Sequence, residues 1–74
     1  MSATPKQEIA EIVAPYGRRI RLDEVAYDSG MTLLRVTIRE GGRYTILELD
    51  AETAAQWGGL MRDWADAQAG ATHR

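Results

Sequence analysis

Apolar and polar residues alternate through residues 31–39 and again through 44–49, on either side of Glu40-Gly41-Gly42-Arg43. An alternation of period two predicts strands. The glycine pair predicts a two-residue hairpin loop of type I′, with positive φ at both glycines. Setting Glu40 opposite Arg43 fixes every later pair. Ile38 faces Thr45, Val36 faces Leu47 and Leu34 faces Leu49 on one side. Arg39 faces Tyr44, Thr37 faces Ile46 and Arg35 faces Glu48 on the other. A one-residue slip would turn the arginines toward the apolar side, so the register is strongly specified.

Upstream, Ile20, Leu22, Val25 and Tyr27 precede Asp28-Ser29-Gly30. A three-residue turn closed by a left-handed Gly30 pairs Tyr27 with Met31. That register sets Leu22 opposite Val36 and Ile20 opposite Ile38, on the same apolar side that the second hairpin defines independently. Glu24, opposite Leu34, is the discordant residue and is expected near the end of that side, within reach of water. Across the three strands the outer side carries an acid-base-acid row, Asp23, Arg35 and Glu48. Next to it come Arg21, Thr37 and Ile46, then Arg19, Arg39 and Tyr44. Val25 facing Leu33 and Tyr27 facing Met31 make the opposite end apolar.

Past residue 49 the period changes. Ala54, Trp57, Leu60, Met61 and Trp64 recur at intervals of three and four, with Arg62, Asp63 and Asp66 off the stripe, the pattern of an amphipathic helix. Asp50 is placed to cap it and Glu52 sits where a negative charge suits the helix dipole. The helix is expected over residues 50–69, ended by Gly70 at the latest, with 70–74 as a tail. Its stripe is the expected cover for Ile20, Leu22, Leu34, Val36, Leu47 and Leu49, which would make Trp57 and Trp64 the costliest residues to truncate. Gly58-Gly59 inside it has two readings, close approach to the sheet with or without a mild kink, or backbone left bare for a partner.

Residues 1–17 are ambiguous. Thr4-Pro5-Lys6-Gln7 has the form of a capping box, and Ile9, Ile12 and Val13 fall on one helical stripe. The same residues also read as a strand, and Pro15-Tyr16-Gly17 ends either element. The fold class is therefore α+β: a three-stranded antiparallel meander over residues 18–49, packed on one face by a C-terminal helix, with a short N-terminal helix or extended segment.

Seventy-four residues form one small domain, near the lower limit for a self-sufficient core. The chain has no cysteine, which is compatible with a reducing compartment. It has no run of about 18 apolar residues and no signal-peptide pattern at its start, so a cytoplasmic protein is expected. The net charge is −2 and is unevenly spread. Residues 18–43 hold six arginines against four acids, and 44–74 hold Arg62 and Arg74 against five acids.

Little in the chain points to catalysis. Lys6 is the only lysine and His73, read as a solvated tail residue, the only histidine. Asp23 and Glu48 flank Arg35, which should keep both ionised and makes a salt ladder of them. No enzyme, cofactor or metal is expected. Binding has more support, because the outer sheet face presents Tyr27, Met31, Leu33, Tyr44 and Ile46 interleaved with Arg21, Arg35 and Arg39. Tyrosine and arginine are enriched at interface hot spots, and a half-apolar sheet face calls for an occupant. The candidate occupants are the N-terminal segment, a second copy of the chain, or another protein, and the expectation is a small accessory or regulatory interaction module that forms a homodimer.

Nucleic acid is the rival partner, since aromatics beside arginines on a sheet can stack bases and neutralise phosphates. The run Arg35-Val36-Thr37-Ile38-Arg39-Glu40, followed by a helix containing Gln56-Trp57 and Leu60, resembles the single-stranded-DNA-binding transcriptional coactivator family, whose sheet is likewise followed by a helix. That resemblance implies a single-strand-binding sheet face.

Overall fold

Four antiparallel strands and one long helix account for residues 6–72, which are those described by the structure, a computed structural model. The elements are β1 (Lys6–Ala14), β2 (Arg18–Ala26), β3 (Thr32–Glu40), β4 (Arg43–Leu49) and α1 (Ala51–Thr72). The sheet runs in the order β1-β2-β3-β4. The class is α+β, an antiparallel sheet packed against a C-terminal helix, but the meander has four strands where three were expected.

The extra strand is the ambiguous N-terminal segment. Pro15–Gly17 forms a tight 3-10 turn, with Tyr16 and Gly17 both at positive φ, and folds β1 back on β2. Ile12 then lies opposite Ile20 and Ala10 opposite Leu22, while Glu11 and Glu8 lie opposite Arg21 and Asp23. The ladder bonds made with β2, together with the strand preference of Ile9, Ile12 and Val13, outweigh the helical spacing. The register shifts between Glu8 and Ala10, so that Ile9 is the bulged residue. Thr4 and Pro5, half of the expected capping box, lie outside the described residues, as do His73 and Arg74.

The central pairings follow the expected register throughout. Ile20 faces Ile38 and Leu22 faces Val36, and Leu34 faces Leu49 and Val36 faces Leu47. The Tyr27 N–H donates to the Met31 carbonyl at 2.8 Å, and Gly30 sits at φ 94°, as the three-residue turn requires. The second turn differs in type. Only Gly41 has positive φ, at 59°, which fits a type II′ loop and not type I′. Both are two-residue loops whose twist matches the flanking strands, so the register is the same.

Asp50 caps α1 as expected: its carboxylate accepts the Thr53 N–H at 2.8 Å and its carbonyl accepts the Ala54 N–H at 2.9 Å. The helix then runs 22 residues, through Gly70, to Thr72. It does not stop at residue 69, because the alanines around Gly70 favour continuation.

The larger departure is where the helix lies. It meets the sheet through its first turns, where Thr53, Gln56, Trp57 and Leu60 border Leu47 and Leu49. Leu60, at the limit of this contact, is 62% exposed, and beyond it the helix extends past the sheet and leaves Trp64 68% exposed. The expected cover of Ile20 and Leu22 by the whole stripe is therefore incomplete within one chain, although Val36 is buried. The molecule is long and thin, with principal extents of 57 × 30 × 15 Å. Among the described residues only Val25, Val36 and Asp23 are buried.

Candidate interaction surfaces

On the outer face, the side chains at the centre are tied to one another. The Tyr27 hydroxyl donates to Glu48, at 2.8 Å from Oε1 and 2.7 Å from Oε2. Arg35 approaches the same carboxylate through Nε at 2.9 Å and Nη2 at 2.7 Å. The Tyr27 hydroxyl, followed by the Arg35 guanidinium, holds the Glu48 carboxyl below its ordinary value of 4.5. Tyr27 thus belongs to a polar cluster, although its backbone lies at the apolar end of the face.

The expected acid-base-acid row is split. Asp23 and Arg35 are cross-strand neighbours, but the Asp23 carboxylate accepts from Arg21 Nε at 3.1 Å, two residues along its own strand. Asp23 is only 1% exposed. A side chain two positions away on the same face competes with the one opposite, and here it wins because Arg35 is already engaged by Glu48 and Tyr27.

The fourth strand changes the electrostatics of this face. From β1, Glu8 lies 3.5 Å from Arg21 and Glu11 lies 3.4 Å from Arg19. Arg39 has its guanidinium 5.8 Å from the Tyr44 ring and donates to the Gly41 carbonyl at 3.4 Å. At the end of the sheet Arg18 pairs with Glu40 and also stacks 5.6 Å from the Tyr16 ring.

Of the eight residues singled out from the sequence, Arg21, Arg35 and Tyr27 are engaged in these pairs, and Leu33 is half-buried. Met31, Tyr44 and Ile46 are exposed, with Arg39 beside Tyr44. The structure does not bring these into one patch, since Met31 follows the β2–β3 turn while Tyr44 and Ile46 lie on edge strand β4.

A second apolar surface lies on the inner side and was read from the sequence as core. Ile12 is half exposed and Ile20, Leu22 and Ile38 are half-buried. Apart from them, the helix presents a shallow apolar groove formed by Trp57, Leu60, Met61, Trp64 and Ala65. The Gly58-Gly59 pair gave a hint of this. A Cβ at either position would meet nothing within 4 Å, so close approach to the chain's own sheet is not what the glycines provide.

These features define a small α+β chain with two incompletely covered apolar surfaces, and no helix among the described residues is long and apolar enough to cross a membrane. Residues 3–67 match a family of unknown function, DUF6967, and the chain belongs to that family. No curated protein and no solved structure matches the chain.

Proposed function

We propose that the protein is a small non-enzymatic interaction module, accessory or regulatory in role, that binds another protein chain. The observation that carries this reading is the apolar stripe of α1, which leaves the sheet after its first turns and stays exposed from Leu60 to Trp64. Two tryptophans and two long aliphatic side chains on one helical face are the anchors that a protein interface uses. Left in water, they forgo roughly 1.5–3 kcal/mol of burial for each large side chain. The sequence favoured the outer sheet face as the binding surface. That face contributes the smaller patch of Tyr44, Ile46 and Arg39, while the inner face and helix offer the larger apolar area. A cytoplasmic location goes with this proposal and is tested by cell fractionation.

Photo-cross-linking in cells tests the reading. A photoreactive amino acid at position 60 should give adducts heavier than the 8.2 kDa chain. The same group at position 63, off the stripe, should give few. Equal yields at the two positions, or none at either, would refute the proposed surface.

A second reading, a single-stranded nucleic acid on the outer face, draws support from Arg39 beside the exposed Tyr44 ring. It is weakened by Glu8 and Glu11, which β1 sets against Arg21 and Arg19. Oligonucleotide binding that falls steeply with salt, and is lost in Arg39→Ala, would favour this reading over the first.

A further inference from the structure

The shape and surface of the single chain are those of half an assembly. A compact chain of this length has a radius of gyration of about 11 Å, and this one has 15.2 Å. A folded monomer of its mass exposes about 4,500 Å², and this chain exposes 5942 Å². The excess is roughly 1,400 Å² per chain, so closing it in a pair would bury about twice that, within the range of obligate homodimers.

Exposed apolar side chains occur in two pieces of the chain. One is the part of α1 from Leu60 onward, carrying Leu60, Met61 and Trp64. The other is the inner sheet face around Ile12, Ile20 and Ile38, which lies away from the part bordered by the helix's own first turns. Their lengths are compatible, since the part of α1 from Leu60 onward spans about 20 Å and a nine-residue strand about 30 Å.

We propose that two copies of the chain associate about a two-fold axis, the part of each α1 from Leu60 onward lying across the inner sheet face of its partner. The arrangement is self-complementary, so it closes at two copies. It converts an open sheet with a projecting helix into two sheets each fully covered, the two-layer architecture that an amphipathic helix and a one-sided sheet require. This inference rests on the interaction-module reading and supplies its partner.

Sedimentation equilibrium on the full chain tests it. The expected mass is twice 8.2 kDa. Leu60→Glu should weaken association at least about 100-fold, because one substitution places two charges in the symmetric interface. Circular dichroism of that variant verifies that the fold persists. The chain has no cysteine, so Ile12→Cys and Met61→Cys variants can be mixed and treated with a short bifunctional thiol reagent. A 12-to-61 bridge between chains is the expected product. A monomer at all concentrations, a dimer indifferent to Leu60→Glu, or bridging only between two positions 61 would each overturn the proposal. If the chain is a monomer and the photoreactive residue at position 60 reacts with a different protein, the interaction module stands and only the self-partner fails. A monomer with no adduct at all removes both.

Discussion

The Tyr27 hydroxyl donates to both carboxylate oxygens of Glu48, at 2.8 and 2.7 Å, and so links the end of β2 to β4 over the intervening β3. Arg35, on β3, closes the same cluster from beneath. Three strands are therefore joined by side chains as well as by their ladders. Because the cluster stabilises the ionised carboxylate, it makes the stability of the sheet depend on pH.

The sign follows from Glu48, whose folded-state carboxyl is held below 4.5, first by Tyr27 and then by Arg35. Glu40, held down by Arg18, and Asp50, held down by Thr53, act in the same direction. A carboxylate depressed on folding contributes stability that is present above its unfolded value and is lost as pH falls through the folded value. The melting temperature should therefore be level near neutrality and drop below about pH 4.5. In Tyr27→Phe the Glu48 carboxyl should titrate closer to 4.5, observed through its side-chain carbon by NMR, and the acid drop should be smaller, because less separates the folded from the unfolded value. An unmoved Glu48 titration would assign the whole effect to Arg35.

Tyr16 offers a test of backbone strain. It occupies left-handed φ and ψ, at 66° and 31°, and is 92% exposed. A bulky side chain is disfavoured there by roughly 1 kcal/mol relative to glycine, and its ring lies against the exposed Arg18 guanidinium. Tyr16→Gly should raise stability by about 1 kcal/mol in urea unfolding. A loss instead would mean that stacking on Arg18 outweighs the strain.

The register of β2, β3 and β4 was legible because two turns fix it independently and both put Leu22, Val36 and Leu47 on one side. The identity of β1 was not, because Ile9, Ile12 and Val13 satisfy both a helical and a strand period, and the bulge at Ile9 interrupts the alternation that would have decided between them. A signal was nevertheless present. Glu8 and Glu11 stand across Pro15-Tyr16-Gly17 from Arg21 and Arg19, the charge complement of a hairpin. The split of the acid-base-acid row could not be read from register alone, since register gives the residue opposite and not the choice a side chain makes among its neighbours. The stripe on α1 was legible, but its distance from the sheet was not. Periodicity shows that a face must be buried without saying in which molecule.

That difference bears on the tryptophans, which the sequence marked as the costliest residues to truncate. Trp57 is 40% and Trp64 68% exposed, so within one chain Trp64→Ala removes little burial. Its effect should depend on protein concentration. At high dilution the variant and the parent should melt together, and at high concentration the parent alone should gain. Tryptophan emission should shift to the blue with concentration in the parent. Concentration-independent destabilisation by Trp64→Ala would place the ring in the chain's own core.

The last test uses the glycine pair, because the two residues lie on different sides of α1. Gly59 falls among Glu52, Arg62 and Asp66, whereas Gly58 borders the stripe beside Ala54 and Ala65 at helical spacing. Neither would set a Cβ within 4 Å of another atom. On helix propensity alone each substitution by alanine should stabilise the chain by about 1 kcal/mol. Gly59→Ala should show that gain in full and leave association unchanged. Gly58→Ala should show it only in the dissociated chain, and should weaken association where the added methyl group holds the helix away from the surface it covers. Thermal unfolding at low and high concentration separates the two contributions. Equal behaviour of the two variants would mean that the bare backbone beside the stripe is not used by any partner.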